Sequence, residues 1–593
     1  MKTKQSRHNI IGFVLATLIP LVIILFSMRV WEMDLSVPHE FAGDAILGAS
    51  LIKSICENGL KGLYFCESLG APEISALIDS PFLDLNYVFE ILLLKNFVQS
   101  PTAILYLMYF FSYPLAGIAM YLLLNRLSDR VFIKVFFSVA YAITPYHFSR
   151  GLNHLTLSNY YVVPLSILLA LVIADEKFRG IIPERYSKSK CKGIMSYIAC
   201  IVLGFGNVYY AFFGLVCMGM ALLTKMIREK RISCLWQEAV MLYGVVLGVG
   251  IGLLPKILYT LRQGSNTMAA TRGAYESELY ALKVIQMILP CNYNRVDFLA
   301  RVNAHYSTSA ININENHVAA LGLVATIGFM IACVWVVLRM VKPAEIKDAV
   351  FVSRMNLFSL MILTIVLYCV PGGFGTVISY FVLSVIRCFN RASIVIVTIA
   401  ICICALFLEY LKTKIMLSNY KIYECVLLVF VGVFVLYSEV PVNHKGWQDS
   451  LKQRDAILQE FFGEVETSMK EGAVIYELPF RQFPEAGPLV NMLDYELALG
   501  YVYTDEFKWS YGAMKGRNTL GESLYIDDGM SKEFVQGIID AGFSAVYIDT
   551  KGFEDGGEAI NRFYTETLGL TPIVSEDEWL YLYVLDGGVI NGQ

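Results

Sequence analysis

Eleven long apolar runs between residues 10 and 439 decide most of what this chain can become. They fall near 10–28, 101–124, 135–148, 159–174, 194–206, 209–226, 238–260, 317–340, 354–371, 391–410 and 421–439. Most approach the roughly 20 residues that a helix needs to cross about 30 Å of hydrocarbon; the runs at 135–148 and 194–206 are short. With 56% of its 593 residues hydrophobic and 17% charged, the chain is too apolar for a water-soluble globule. The expected fold class is a polytopic α-helical membrane protein of about 11 transmembrane helices, residues 1–440, followed by an extracytoplasmic α/β domain, residues 441–593.

Orientation follows from the excess of Lys and Arg in loops that stay inside. Lys2, Lys4 and Arg7 precede the first run, and Arg126, Arg130 and Lys134 separate the second from the third. Lys177, Arg179, Arg185, Lys188, Lys190 and Lys192 follow the fourth, with Lys225, Arg228, Lys230 and Arg231 after the sixth. An odd number of crossings then puts the N-terminus in the cytoplasm and the C-terminal domain outside. No small-residue cleavage site follows the first run before Trp31, so it reads as a retained anchor rather than a signal peptide. The net charge of -4 divides between basic inner loops and acidic outer segments, which argues against nucleic acid as a partner.

Most of the thirteen cysteines fall inside apolar runs, and the tail after 440 has none. Only Cys56 and Cys66 share an outer loop where a bridge could form. No CxxC or HExxH spacing occurs, so no metal site is readable.

Residues 29–100 form a large outer loop with two helix-like stretches, Ala45–Ile55 and Leu85–Phe97, too short to cross and suited to the interface plane. A second outer segment, 264–316, carries a helical pattern from Ala281 that stops before Pro290. Beyond Pro441 a charged amphipathic helix is expected over 449–472, strands over 473–480, 544–550 and 579–585, and a helix over 531–541.

Carboxylates at the mouth of a membrane bundle are costly to desolvate, which makes the first outer loop the place to look for chemistry. Asp44 follows Gly43 and precedes a stretch that returns toward the bilayer, so its carboxylate could take a proton from an acceptor hydroxyl as that oxygen attacks an activated carbon. Asp before Ala-Ile-Leu-Gly-Ala is also a good helix start, and capping alone would explain it. Asp34 and Glu40 are competing bases or simply solvated acids. Outer ends of other runs add Tyr146, His147, Arg150, Asn153 and His154, then Asn207, Tyr209 and Tyr210, where an ordinary interfacial belt is the alternative. Arg387 and Arg391 could hold a lipid phosphate bidentately, against plain headgroup snorkelling. Arg272, Glu276, Glu278, Arg295, Glu315, Asn316 and His317 complete the outer polar set, Glu276 and Glu315 being the candidates for the cavity. No Gly-x-Ser-x-Gly elbow is present.

Several short stretches together resemble the GT-C superfamily of polyprenyl-phosphate-sugar-dependent glycosyltransferases, in particular its bacterial YfhO-type branch. They are Gly43-Asp44-Ala45 with Leu69-Gly-Ala-Pro72, Tyr146-His-Phe-Ser-Arg150 with His154 and Pro164, and Asn207-Val-Tyr-Tyr210. Further along come Glu276-Ser-Glu-Leu-Tyr280 with Leu289-Pro290, and Arg387-Cys-Phe-Asn-Arg391. The resemblance implies transfer, with inversion, from a lipid phosphate at the outer face of the bacterial cytoplasmic membrane to a cell-envelope glycan, lipid or protein. By that resemblance Asp44 would be the base, Arg387 and Arg391 would bind the donor phosphate, and His154, Tyr209 and Tyr210 would line the substrate cavity, for which Asp34, Glu40, Arg150, Asn207, Glu276 and Glu315 are further candidates from the outer polar set. Where the superfamily commonly has two adjacent acids this chain has Gly-Asp-Ala, which leaves a requirement for a divalent cation open. No nucleotide exists outside the cell, so such a donor must arrive already activated on a lipid.

A lipid-linked sugar flippase and a non-catalytic envelope-polymer assembly protein would share this layout. Transporters usually show inverted repeats or broken helices near the midplane, and neither is clear here. In the tail, Trp509 with Lys515 and Arg517 suits either ring stacking on a sugar chain or an ordinary loop around a buried Trp.

Overall fold

The computed structural model describes residues 2–80, 84–175, 191–230, 235–269, 272–311, 315–341, 346, 348–415, 420–517 and 529–585. The basic loop residues Lys177, Arg179, Arg185, Lys188, Lys190 and Arg231 lie outside them. Up to the last apolar run the chain is helical: α1 (Lys2–Met28), α2 (Gly43–Asn58), α3 (Leu85–Leu94), α4 (Pro101–Leu124), α5 (Val131–Ala142), α6 (Pro145–Arg150), α7 (Leu155–Ser158), α8 (Val162–Ala174), α9 (Cys191–Phe205) and α10 (Val208–Glu229). There follow α11 (Trp236–Gln263), α12 (Glu276–Leu279), α13 (Val284–Ile288), α14 (Asp297–Ser309), α15 (Leu323–Val341), α16 (Ala349–Cys369), α17 (Phe374–Phe381), α18 (Ser393–Lys414) and α19 (Tyr420–Ser438).

Among the described residues ten helical segments are long and apolar enough to cross a membrane, α5 running with α6 and α7 with α8. The eleventh expected crossing is α9, whose apolar part, Ile194–Phe205, falls short of that length. Helix starts follow local chemistry. Ser100 accepts from the Ala103 N–H ahead of Pro101, and Asp348 accepts from the Phe351 N–H at 3.0 Å. Packing between helices relies on small residues: a Cβ on Gly117 would lie 2.2 Å from the Ala16 carbonyl oxygen, and one on Gly328 would lie 2.1 Å from that of Ala400. Helix α18 forms the buried centre, with every residue from Ser393 to Leu406 out of contact with the surroundings.

The segment after Pro441 opens with α20 (Asp449–Ser468) and builds a five-stranded sheet from β1 (Val474–Leu478), β2 (Lys508–Trp509), β3 (Ala545–Asp549), β4 (Ile573–Val574) and β5 (Leu580–Val584) in the order β2-β1-β3-β5-β4. β1 is parallel to β2 and β3, and β5 is antiparallel to β3 and β4. Side chains alternate between the two faces. Ile475, Ala545, Tyr547, Leu580 and Leu582 join the core shared with the membrane part, whereas Tyr476, Leu478, Val546, Ile548 and Tyr583 pack with Phe534 and Ile538 of the helix Lys532–Asp540. The exposed edge at β2 is covered by the first outer loop: Gly70 N–H donates to Tyr511 O, Ala71 N–H to Trp509 O, and Trp509 N–H to Ser68 O, each at 2.9 Å.

Two readings are corrected here, and the alternative of a buried Trp509 is the one found. Cys56 and Cys66 are free thiols, not a bridge. The helix expected from Ala281 is confined to Val284–Ile288. Trp509 is fully buried, its indole N–H donating to Thr504 Oγ1 at 3.0 Å and its ring edge-on to Phe462 and Tyr547, so it cannot stack on a sugar. Trp509→Ala is therefore expected to destabilise the C-terminal domain by about 3–5 kcal/mol, read as a lower thermal midpoint of the purified protein.

Candidate functional site

Gly43 opens α2 with φ +61°, a left-handed conformation that only glycine adopts without strain, and a Cβ there would meet open space. That turn sends the Gly43 N–H to the Asp494 carbonyl of the C-terminal domain at 2.7 Å and leaves Asp44 in the first turn of the helix. The helix is not capped by a side chain: Ala42 is the cap residue, and Asp44 instead reaches His154, with Oδ2 3.0 Å from Nδ1. The capping explanation of Asp44 fails on this geometry. His154 Nδ1 also lies 3.0 Å from the Asn153 carbonyl, and with acceptors on both sides it must carry the ring proton. The other ring nitrogen is then an acceptor when the ring is neutral. Neighbouring Asn153 donates to Glu40 Oε1 at 3.0 Å, which brings Glu40 to the same mouth.

A cationic seat lies one helical turn away on α6. The Arg150 side chain has no exposure and donates from Nη1 to Glu315 Oε2 at 2.9 Å, its guanidinium 5.5 Å from the Tyr146 ring. Tyr146 OH and Tyr210 OH are 2.9 Å apart, and Tyr210 OH donates to the Leu157 carbonyl at 2.6 Å. Arg391 packs its guanidinium 4.4 Å from the Tyr209 ring. Burial alone would push the Glu315 carboxyl up, but the charges of Arg150 and Arg391 and the Arg150 hydrogen bond outweigh it and hold the group down at about 2. Arg150 Nε and Nη2 and Arg391 Nε are buried without hydrogen-bond partners. Each such donor costs about 1–3 kcal/mol, so the pair is under-supplied with anionic acceptors.

Arg387 is elsewhere engaged: it forms an ion pair with Glu276 and sits 5.4 Å from the Tyr280 ring. Glu276 also accepts from the Gly273 N–H at 3.1 Å. Asn207 caps α10 by accepting from the Tyr209 N–H at 3.1 Å, a structural task. Asp34 stands apart, its carboxylate accepting from the Ser36 N–H and hydroxyl while its backbone exchanges hydrogen bonds with Gln448.

The C-terminal domain supplies residues that the sequence did not single out. Glu485 binds Arg272 through two bonds, of 2.7 and 2.9 Å, and Asp494 approaches Asp44. Burial pushes the Asp494 carboxyl up, the Gly487 and Tyr495 N–H groups pull it back, and the Asp44 charge adds to the rise. Neither residue lies in a stretch with a local signal. A second acidic pair lies along α3: desolvation pushes Asp84 up to about 7 and Glu90 up to about 8, Glu90 accepting from Asn159 at 2.8 and 2.7 Å. Among the described residues no hydrogen bond or ion pair joins either to Asp44, and no group of three or more His, Cys, Asp or Glu side chains is arranged to hold a metal.

No family model matches the chain, and no curated protein does. Among solved structures, the oligosaccharyltransferase of Archaeoglobus fulgidus in its apo form is 12% identical with a TM-score of 0.45, over 92% of this chain and 70% of that one. ArnT from Cupriavidus metallidurans, also apo, is 12% identical with a TM-score of 0.43, over 96% of this chain and 98% of that one. At that identity and superposition, neither likeness bears on what this chain's side chains do.

Proposed function

We propose that the chain is an integral-membrane glycosyltransferase that moves a sugar from a polyprenyl-phosphate donor to a hydroxyl of a cell-envelope glycan, lipid or protein. The reaction is placed at the outer face of the bacterial cytoplasmic membrane, in line with the GT-C resemblance of the sequence and its YfhO-type branch. The observation that carries the reading is the half-exposed carboxylate of Asp44 on His154, whose backbone N–H donates to the Arg150 carbonyl and whose ring, with Arg150 and Arg391, surrounds Glu315.

In this reading the acceptor oxygen attacks the anomeric carbon from the side of Asp44 as the bond from that carbon to the phosphate oxygen breaks. Asp44 takes the hydroxyl proton, and the polyprenyl phosphate leaves with the bonding electrons. Attack opposite the leaving group inverts the anomeric centre. His154 holds one oxygen of Asp44, which aims the other at the acceptor. The charge that grows on the departing phosphate is met by Arg150 and Arg391, each well-placed donor contributing roughly 3–4 kcal/mol. This modifies the pairing read from sequence: Arg391 keeps its role, and Arg150, with Nε and Nη2 buried and unpartnered, takes the place of Arg387, which pairs with Glu276. The sequence leaves a divalent cation open, and with no group of three or more His, Cys, Asp or Glu arranged to hold one among the described residues, no step is routed through it. The test is transfer of labelled sugar from polyprenyl-phosphate donors to envelope acceptors by wild type, with Asp44→Asn as the inactive control.

A further inference from the structure

Glu315 occupies the place where the arginine pair would meet a phosphate. Its carboxylate uses one Arg150 N–H, at 2.9 Å, and leaves Arg150 Nε and Nη2 and Arg391 Nε buried without partners. Two guanidinium groups thus face one monoanion. The Glu315 backbone is fixed in an adverse conformation, φ 55° and ψ 14°, where a residue with a side chain is strained. Its carbonyl accepts from Asn390 Nδ2 at 3.3 Å, in the same 3-10 turn as Arg391. The side chain, by contrast, has that single hydrogen bond and is 27% exposed. Held through its backbone, the turn can stay in place while the partly exposed carboxylate swings away from Arg150 and a phosphate takes over its charge.

We propose that Glu315 is a resident counter-ion that fills the seat between Arg150 and Arg391 in the empty protein and gives way to the lipid phosphate, which turns from a diester into a monoester as the sugar leaves. The proposal rests on reading Arg150 and Arg391 as the donor-phosphate pair. The donor's phosphodiester brings one charge and two free oxygens, matching the carboxylate, and the polyprenyl phosphate formed by transfer brings up to two charges and three free oxygens to a seat with three unpartnered N–H groups. A neutral lipid or an unphosphorylated sugar has nothing with which to displace Glu315, so the carboxylate sets a threshold that selects for phosphate. After transfer the same carboxylate competes with the leaving polyprenyl phosphate and assists its release. Glu315 is here a specificity-determining residue and takes no part in bond making.

The experiment is a titration of the full-length, detergent-solubilised protein with farnesyl phosphate, inorganic phosphate and farnesol, followed by intrinsic fluorescence, for wild type, Glu315→Gln and Arg391→Gln. Removing a competitor that fills the seat raises the competent fraction, so Glu315→Gln is expected to bind farnesyl phosphate about tenfold more tightly than wild type. Arg391→Gln loses farnesyl phosphate, and farnesol binding does not respond to either change. If Glu315→Gln does not keep its thermal midpoint, Glu315→Asp, whose shorter side chain draws back from Arg150, is expected to show a smaller gain in the same direction. Unchanged or weaker farnesyl phosphate binding in the folded variants overturns the proposal, as does a gain seen with inorganic phosphate but not with farnesyl phosphate. Tighter binding without sugar transfer from any donor would leave the counter-ion role standing and reject the transferase reading.

Discussion

Asp44→Asn is expected to lower kcat for sugar transfer by about 10²–10⁴-fold, the range a positioned general base contributes, with donor KM nearly unchanged. Asparagine keeps the shape and the hydrogen bond toward His154 but cannot accept the proton. The side chain is 47% exposed and caps nothing, so the thermal midpoint should match wild type, which separates loss of chemistry from loss of fold. A parallel fall in stability would instead place Asp44 among the structural groups. Substrate kinetics and a melting curve on the same preparation decide between them.

The second large effect concerns the buried pair. Arg150→Met removes the partner of a carboxylate that stays largely enclosed, and breaking a buried pair in this way costs about 3–5 kcal/mol. The double variant Arg150→Met/Glu315→Gln should be less destabilised than Arg150→Met alone, since no uncompensated charge is left behind. The pH dependence follows from the depressed Glu315 group. Its folded value of about 2 lies below its ordinary 4.5, so its contribution to wild-type stability is fully present above pH 4.5 and is lost as pH falls toward 2. The stability gap between wild type and Arg150→Met should narrow over that window. Chemical denaturation of both proteins across the window measures it, and a gap independent of pH would remove Glu315 as the partner.

Much of the architecture was legible because it is written in local periodicity. The apolar runs became helices near their expected places, although α1 and α15 start six to eight residues from the expected limits and the run at 135–148 misses 131–134, where Lys134 interrupts the apolar pattern. In the tail, β1, β3 and β5 announced themselves as apolar five-residue runs. β2 and β4, two residues each, carry no pattern, and exist because neighbouring backbone offers them partners. The site was legible only in part. Asp44 stood out because an acid beside a membrane needs a reason. The partnership of Arg150 with Glu315 spans 165 residues, and that of Arg272 with Glu485 spans 213, distances over which no sequence spacing speaks. Arg387 and Arg391 looked equivalent on one short stretch, yet they diverge: one turns to Glu276 and Tyr280, the other to Tyr209. Asp494 reaches Gly43 because the C-terminal domain is bonded to the membrane part at many points, among them residues 68–71, Lys53 with Asp505, and Arg517 with Asp79.

The most direct measurement of the central claim is sugar transfer by the wild-type protein in proteoliposomes supplied with a panel of labelled polyprenyl-phosphate sugars and extracted envelope acceptors. The account predicts that at least one donor transfers its sugar with release of polyprenyl phosphate, in wild type and not in Asp44→Asn. Transfer that persists at the wild-type rate in Asp44→Asn, or movement of intact donor across the bilayer with no glycosidic product from any of them, would contradict it.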